Sequence, residues 1–199
     1  MTTKQIAFAS GSAHKIKEMK LLLEPLGFQV VTPKDLSIPF SPEETESSFV
    51  GNAFIKSKEL FRLTGLPAFA DDSGICVEAL DGRPGVFSAR YGGEGLNDKD
   101  RAIRLLSELG DNPNRKANYT CVIAYSSEGK DVSFEGQVFG EIAKDYDSIG
   151  KYGFGYDPVF YYPPFQKRFS EVPEEEKNKV SHRAVAMGKF LDWLSTKTS

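Results

Sequence analysis

Two cysteines and two histidines are all that this 199-residue chain offers to soft-metal chemistry. Cys76 and Cys121 stand apart in apolar, strand-like stretches, and no CxxC pair or Cys/His zinc spacing exists. They read as small buried hydrophobes. Long apolar runs are also missing. None approaches the roughly 20 residues that a membrane-spanning helix needs. The opening "MTTKQIAFASGS" is broken by polar residues at once, unlike a secretory signal. Positive charge is not in excess, because 25 Lys and Arg face 28 Asp and Glu, a net charge of -3. That balance excludes the basic footprint of a duplex DNA or RNA binder. A small anion remains possible, since a few local cations hold one. The phosphate loop GxxxxGK[ST] is absent, as are repeats and low-complexity linkers. These absences predict a cytoplasmic protein with no membrane and no nucleic-acid partner.

What is present alternates. "KQIAFAS" (4–10) predicts a strand ending at Gly11. A helix follows from Lys15, with Ile16, Met19, Leu22, Leu23 and Leu26 as its apolar face and Pro25 and Gly27 closing it. "FQVVTP" (28–33) predicts a second strand. A polar, proline-containing loop with Glu43 and Glu44 leads to a helix over about 47–64, with Phe49, Ala53, Leu60 and Leu63 apolar. "LPAFADD" predicts a third strand, ending in Asp71 and Asp72. A glycine-rich stretch (81–95) precedes a helix over 97–110 with Ile103, Leu106 and Leu109 on one face and Asn97 as its cap. Residues 117–126 and 130–142 read as a strand pair around "SEGK". "GKYGFGYDPVFYYPP" (150–164) is a glycine- and aromatic-rich segment. A last helix begins near Ser181, with Val180, Ala184, Met187, Leu191 and Leu194 on one face. The expected fold class is α/β: a mixed central β-sheet flanked by helices, one domain over 1–199, two lobes and an active-site cleft between them.

Four segments carry possible chemistry. In "ASGSAHK" (9–15) a strand enters a loop of small residues and a helix leaves it. Backbone N–H groups, the helix dipole and Lys15 together suit an anion. The same pattern also fits an ordinary turn whose serine caps the helix. Asp71 and Asp72 are adjacent carboxylates, and strand periodicity sends them to opposite sides. Mg²⁺ suits such a place, because it takes few protein carboxylates and uses substrate phosphates as further ligands. A turn with an Asp cap is the plain alternative. Glu43-Glu44 is the nearest second acidic supplier in sequence. "GFGYDP" (153–158) sets Phe154 and Tyr156 between glycines, followed by Asp157. Aromatic faces stack bases, and a carboxylate beside them accepts from a base N–H or a ribose hydroxyl. "KNKVSHRA" (177–184) gathers Lys177, Lys179, His182 and Arg183 near a helix start, against the macrodipole.

Taken together, the Gly/Ser loop with its lysine, "PEETESSFVGNAFIKS", "FADDSG", "GRPGVFSARYGG", "GFGYDPVF" and "SHRA" resemble the inosine triphosphate pyrophosphatase family. These are the HAM1-like, non-canonical purine (dITP/XTP) pyrophosphatases of bacteria. The resemblance runs from about residue 5 to 192. It implies an elongated α/β fold, Mg²⁺ dependence, a purine nucleoside triphosphate as substrate and a homodimer. Ser10, Gly11, Ser12, Ala13, His14 and Lys15 match the family's phosphate-binding loop. Glu44 matches an acidic residue that helps hold Mg²⁺, and Lys56 a lysine facing the phosphates. Asp72 matches the metal-binding carboxylate and general base, and Ser73 its substrate-contacting neighbour. Phe154, Gly155, Tyr156 and Asp157 match the base-binding loop, while Lys177, His182 and Arg183 match residues that read the purine. This chain has Ser10-Gly11-Ser12 where the family usually has Thr-Gly-Asn, and Gly51 where the family tends to have Glu. Two other readings accompany this one: a Maf-like nucleotide pyrophosphatase of different specificity, and a nucleotide sensor without turnover.

Overall fold

The structure is a computed structural model that describes residues 4–196, with the side chain of His14 outside the described set. Among the described residues seven strands form one sheet in the order β2-β1-β3-β4-β5-β6-β7. They are β1 (Lys4–Phe8), β2 (Phe28–Val31), β3 (Ala68–Val77), β4 (Lys116–Ser127), β5 (Lys130–Ile142), β6 (Phe160–Tyr162) and β7 (Lys167–Arg168). The α-helices of the described residues are α1 (Ala13–Leu23), α2 (Phe49–Thr64), α3 (Asp98–Leu109), α4 (Glu174–Val180) and α5 (His182–Ser195). β1 runs parallel to β2, with Ile6 opposite Val30, and parallel to β3, with Phe8 opposite Phe69. β6 is antiparallel to both β5 and β7. The sheet is therefore mixed, and the α/β expectation holds.

The parallel part follows from composition. "IAF" and "AFA" are continuous apolar runs, as expected of strands covered on both faces, whereas "FQVV" at the sheet edge is interrupted by the exposed Gln29. Ile6, Ala7, Phe8, Ala68, Phe69 and Ala70 are all buried. Phe8 and Phe69 stack with ring centroids 4.5 Å apart, and Phe190 of α5 packs on Phe69 at 5.3 Å.

The described residues cluster as two compact units. One comprises the chain up to Asp72, Val122–Glu135 and the chain from Ala186 onward. The other comprises Ser73–Cys121 and Gly136–Val185. The first is built on Ala7, Leu60, Ala68 and Ala70. The second is built on Ile75, Leu105, Tyr119, Phe160, Phe169 and their neighbours.

Several boundaries differ from expectation. The largest difference is β3, which continues five residues past Asp72 to Val77. The aspartates are thus mid-strand, and a capped turn at Asp71–Gly74 is excluded. Helix α1 starts at Ala13, because Ser12 adopts extended backbone and its hydroxyl accepts from the Lys15 N–H. On α1 the buried positions are Met19 and Leu23, whereas Leu22 is exposed, as is Leu26 in the 3-10 turn Glu24–Leu26 that follows the helix. On α3 the inward residues are Ala102, Leu105 and Leu109, and Ile103 faces out. Helix α4 lies in the charged segment "EEEKNKV", where apolar spacing gave no sign of it. Cys121 is buried in β4 and Cys76 is half-buried in β3.

Candidate functional site

The first group of side chains lies in the unit that ends its opening segment at Asp72. β1 delivers the chain into Ser10-Gly11-Ser12, and α1 carries it away. The Ser12 N–H donates to Ser10 Oγ at 3.2 Å, and the Lys15 N–H to Ser12 Oγ at 3.5 Å. Gly11, Ser12 and Ala13 are exposed at this helix start. One turn on, the Lys15 ammonium reaches Asp71 Oδ2 at 2.6 Å.

The second pairing concerns Glu44, Lys56 and Asp72. Lys56 lies on α2, and its ammonium donates to Glu44 Oε1 at 2.7 Å and stands 3.6 Å from Asp72 Oδ1. Glu44 is therefore the glutamate that turns toward Asp72, while Glu43 is exposed. Burial is the largest influence on Asp72 and raises its pKa. Lys56 opposes that, Glu44 and Asp71 reinforce it, and the carboxyl is pushed up to about 6. Burial alone would lower Lys56, but Asp72, Glu44 and Asp71 outweigh it, so the ammonium is held above its ordinary value. Asp72 Oδ2 and Asn52 Nδ2 are both buried without a hydrogen-bond partner of ordinary geometry among the described residues, although the Asn52 amide lies near enough to pull the Asp72 carboxyl down somewhat against burial. Asn52 is fixed by its other amide atom, Oδ1, which accepts from the Glu46 N–H at 3.0 Å.

The third group lies in the unit that begins at Ser73. Asp157 is its hub, only 2% exposed. Its Oδ1 accepts from the Tyr119 hydroxyl at 3.2 Å, and its Oδ2 from the Phe154 N–H at 2.8 Å and from the Lys177 ammonium. Both oxygens are thus engaged by the protein itself. The Lys177 ammonium also lies 5.0 Å from the Phe154 ring centre and 5.1 Å from that of Phe169. Phe154 is exposed, whereas Tyr156 is buried and donates from its hydroxyl to Ser88 O at 2.8 Å. Gly155 has φ +61° and donates its N–H to Asp98 Oδ2 at 3.0 Å. A side chain there would be strained in the left-handed region. At the start of α5, His182 stacks on Tyr119 with centroids 4.8 Å apart and planes 11° apart. Arg183 donates to Ser73 Oγ at 3.4 Å. Ser181 caps α5 through the Ala184 N–H at 3.1 Å.

The structure therefore gathers Glu44, Lys56 and Asp72, pairs Lys15 with Asp71, and gathers Phe154, Asp157 and Lys177. Asp72 belongs to one unit, and the next residue in the chain, Ser73, to the other. The side chain of His14 lies outside the described residues. Sequence reasoning missed Asn52, Asp98, Phe169 and above all Tyr119. The one available sign for Tyr119 was chemical: a tyrosine at an inward strand position needs a partner for its hydroxyl.

The sequence model of the Ham1 family matches residues 6–193. The dITP/XTP pyrophosphatase of Leptospira biflexa is 69% identical over 196 residues, covering 98% of this chain and 99% of the relative. That of Nitrosomonas europaea is 44% identical over 194 residues, covering 96% of this chain and 94% of the relative. Among solved structures, the Staphylococcus aureus Ham1 protein superposes with a TM-score of 0.92 at 37% identity, covering 98% of this chain and 100% of that one. The Coxiella burnetii HAM1 protein gives a TM-score of 0.92 at 40% identity, covering 97% and 99%. With sequence matched from β1 into α5 and the whole fold shared, this chain belongs to the Ham1 family.

Proposed function

We propose that the protein hydrolyses non-canonical purine nucleoside triphosphates (dITP, ITP or XTP) to the monophosphate and pyrophosphate. In this reading Mg²⁺ is the cofactor. The relatives named dITP/XTP pyrophosphatase, at up to 69% identity, support the substrate class. The observation that carries the reading is the meeting of Lys56, Glu44 and Asp72, where two carboxylates from distant segments converge on one cationic group.

The same residues fit a divalent cation. Asp72 Oδ2 is a buried acceptor with no hydrogen-bond partner of ordinary geometry among the described residues. Glu44 and Asp72 already face a single positive charge. Among the described residues no group of three or more acidic, His or Cys side chains is placed to hold a metal. Two carboxylates with substrate phosphates and waters are what Mg²⁺ ordinarily accepts. Bound there, Mg²⁺ would neutralise charge on the polyphosphate and polarise the phosphoryl group under attack.

The chain's own residues would do the rest. Ser10, Gly11 and Ser12 present backbone N–H groups at the positive end of α1, where anionic oxygens are favoured. Lys15 and Lys56 donate to the phosphates and hold the charge that develops on the departing pyrophosphate. Asp72 takes a proton from the water that attacks the α-phosphorus. Phe154 stacks the purine. His182 and Arg183 donate to the 6-oxo group shared by hypoxanthine and xanthine. Adenine brings a 6-amino donor to the same place, a mismatch worth about 10⁴-fold in discrimination. A homodimer working in the cytoplasm completes the proposal.

The test incubates the protein with dITP, ITP, XTP, GTP and ATP in Mg²⁺ and H₂¹⁸O. The expected outcome is pyrophosphate release from the first three, with the label in the monophosphate. Orthophosphate as the first product, or label in pyrophosphate, rejects attack at the α-phosphorus.

A further inference from the structure

The residues assigned above to purine recognition come from three separate segments: the turn at Phe154–Asp157, helix α4 and the start of α5. Tyr119 of β4 touches two of these directly. Its hydroxyl donates to Asp157 Oδ1 at 3.2 Å, and its ring lies nearly parallel to the His182 imidazole, 4.8 Å away. Asp157 in turn holds the Phe154 N–H and the Lys177 ammonium. Tyr119 itself has little freedom. It is buried, Phe160 packs on it at 4.7 Å, and Phe169 lies parallel to it at 6.2 Å.

We propose that Tyr119 is a positioning residue for purine selection: its hydroxyl orients Asp157, and through it Phe154 and Lys177, while its ring fixes the plane of His182. The inference rests on the proposed function. It deepens that reading by naming the link that registers the stacking platform against the donors of α5. A hydrogen bond to a carboxylate contributes about 1.5–3 kcal/mol, so its loss converts to about tenfold or more in a binding-dependent quantity. Removing the hydroxyl alone leaves the ring packing in place, which separates orientation from bulk.

Tyr119→Phe is compared with the wild type for ITP and ATP hydrolysis in Mg²⁺, with Asp157→Asn and the double variant alongside. Expected for Tyr119→Phe are a KM for ITP raised about tenfold, kcat nearly unchanged, and a fall of about tenfold in the ITP-over-ATP ratio of kcat/KM. The double variant should lose no more than the worse single one, because both act through the same carboxylate. A purely structural tyrosine would instead lower the melting temperature and depress both substrates alike. An unchanged ratio in Tyr119→Phe, or additive losses in the double variant, overturns the inference while leaving the proposed function standing. Should Tyr119→Phe not fold, Asp157→Asn decides by the same ratio: a fall supports the link and no change overturns it. A wild type that hydrolyses none of the triphosphates overturns the proposed function and this inference with it.

Discussion

The ammonium of Lys56 stands 3.6 Å from Asp72 Oδ1, so a lysine of the same chain already sets a positive charge against this carboxylate. Glu44 holds the other side of that ammonium. In the proposed function a divalent ion would therefore compete with this lysine for the same two carboxylates. Lys56→Met removes the competitor and the phosphate donor together. Turnover of ITP should fall by about 10²–10³, the usual loss when one electrostatic donor to the transition state is deleted. In calorimetric titrations without nucleotide, Mg²⁺ should bind more tightly to the variant than to the wild type. Equal or weaker Mg²⁺ binding would show that Lys56 does not occupy the cation's place.

Asp72 makes a pH-dependent contribution whose sign is opposite to that of an ordinary paired carboxylate. Burial, with Glu44 and Asp71, pushes its pKa up to about 6 from the ordinary 3.8 despite Lys56. Below 3.8 both folded and unfolded chains carry the proton. Between 3.8 and about 6 the unfolded chain has lost it and the folded one has not, so stability falls as pH rises. Above that window the deficit is constant, on the order of 3 kcal/mol at most. Asp72→Asn should melt several degrees higher than the wild type at pH 7.5 in EDTA, with the gap closing toward pH 4, while turnover is lost. A variant less stable than the wild type at pH 7.5 would contradict this assignment.

Gly51 breaks the pattern of a good helix, and the packing says why it stays. A Cβ at that position would lie 2.6 Å from Glu46 Cβ and 2.7 Å from its Cγ, with Ser48 Oγ at 3.0 Å. These are atoms near the backbone, not the free end of a side chain. The gain of about 1 kcal/mol that Ala has over Gly in a helix is therefore not available here. Gly51→Ala should leave the melting temperature unchanged or lower it. A clear rise would mean that Glu46 moves aside at no cost.

The expectations that held are those set by strong local patterns, and the failures share a physical reason. "IAF" and "AFA" are unbroken apolar runs, so β1 and the start of β3 were legible. The continuation of β3 was not, because Asp71 and Asp72 look like a strand end until Lys15 and Lys56 are seen beside them. Leu22 and Leu26 fit a helical period as well as Met19 and Leu23 do. Which part of the stripe is buried depends on what packs against it. In α4 the inward position is Lys177, held by Asp157, so no apolar period could mark the helix. The pairing of Glu44 with Lys56 and Asp72 joins residues 12 and 28 positions apart; nearness in sequence had offered Glu43-Glu44 beside the aspartates, and only the resemblance to a family singled out Glu44 and added Lys56. Tyr119 carried no motif at all, because its role arises from where β4 passes Asp157 and His182.

Phe154 offers the sharpest separation of binding from folding. It is 57% exposed although it belongs to an aromatic-rich segment. Its backbone N–H is fixed by Asp157 and the Lys177 ammonium lies 5.0 Å from its ring centre, so the ring is held in place while its surface stays open. Phe154→Ala removes little buried area and keeps the backbone hydrogen bond to Asp157. The melting temperature should therefore change by no more than a degree or two. Stacking of one base on one aromatic ring contributes about 1–3 kcal/mol, so KM for ITP should rise by about 10- to 100-fold with a smaller change in kcat. Phe154→Trp should retain binding, since the larger ring stacks in the same way. If Phe154→Ala kept the wild-type KM, the exposed ring would not be the platform for the purine, and the base would have to be held by the polar residues of α5 alone.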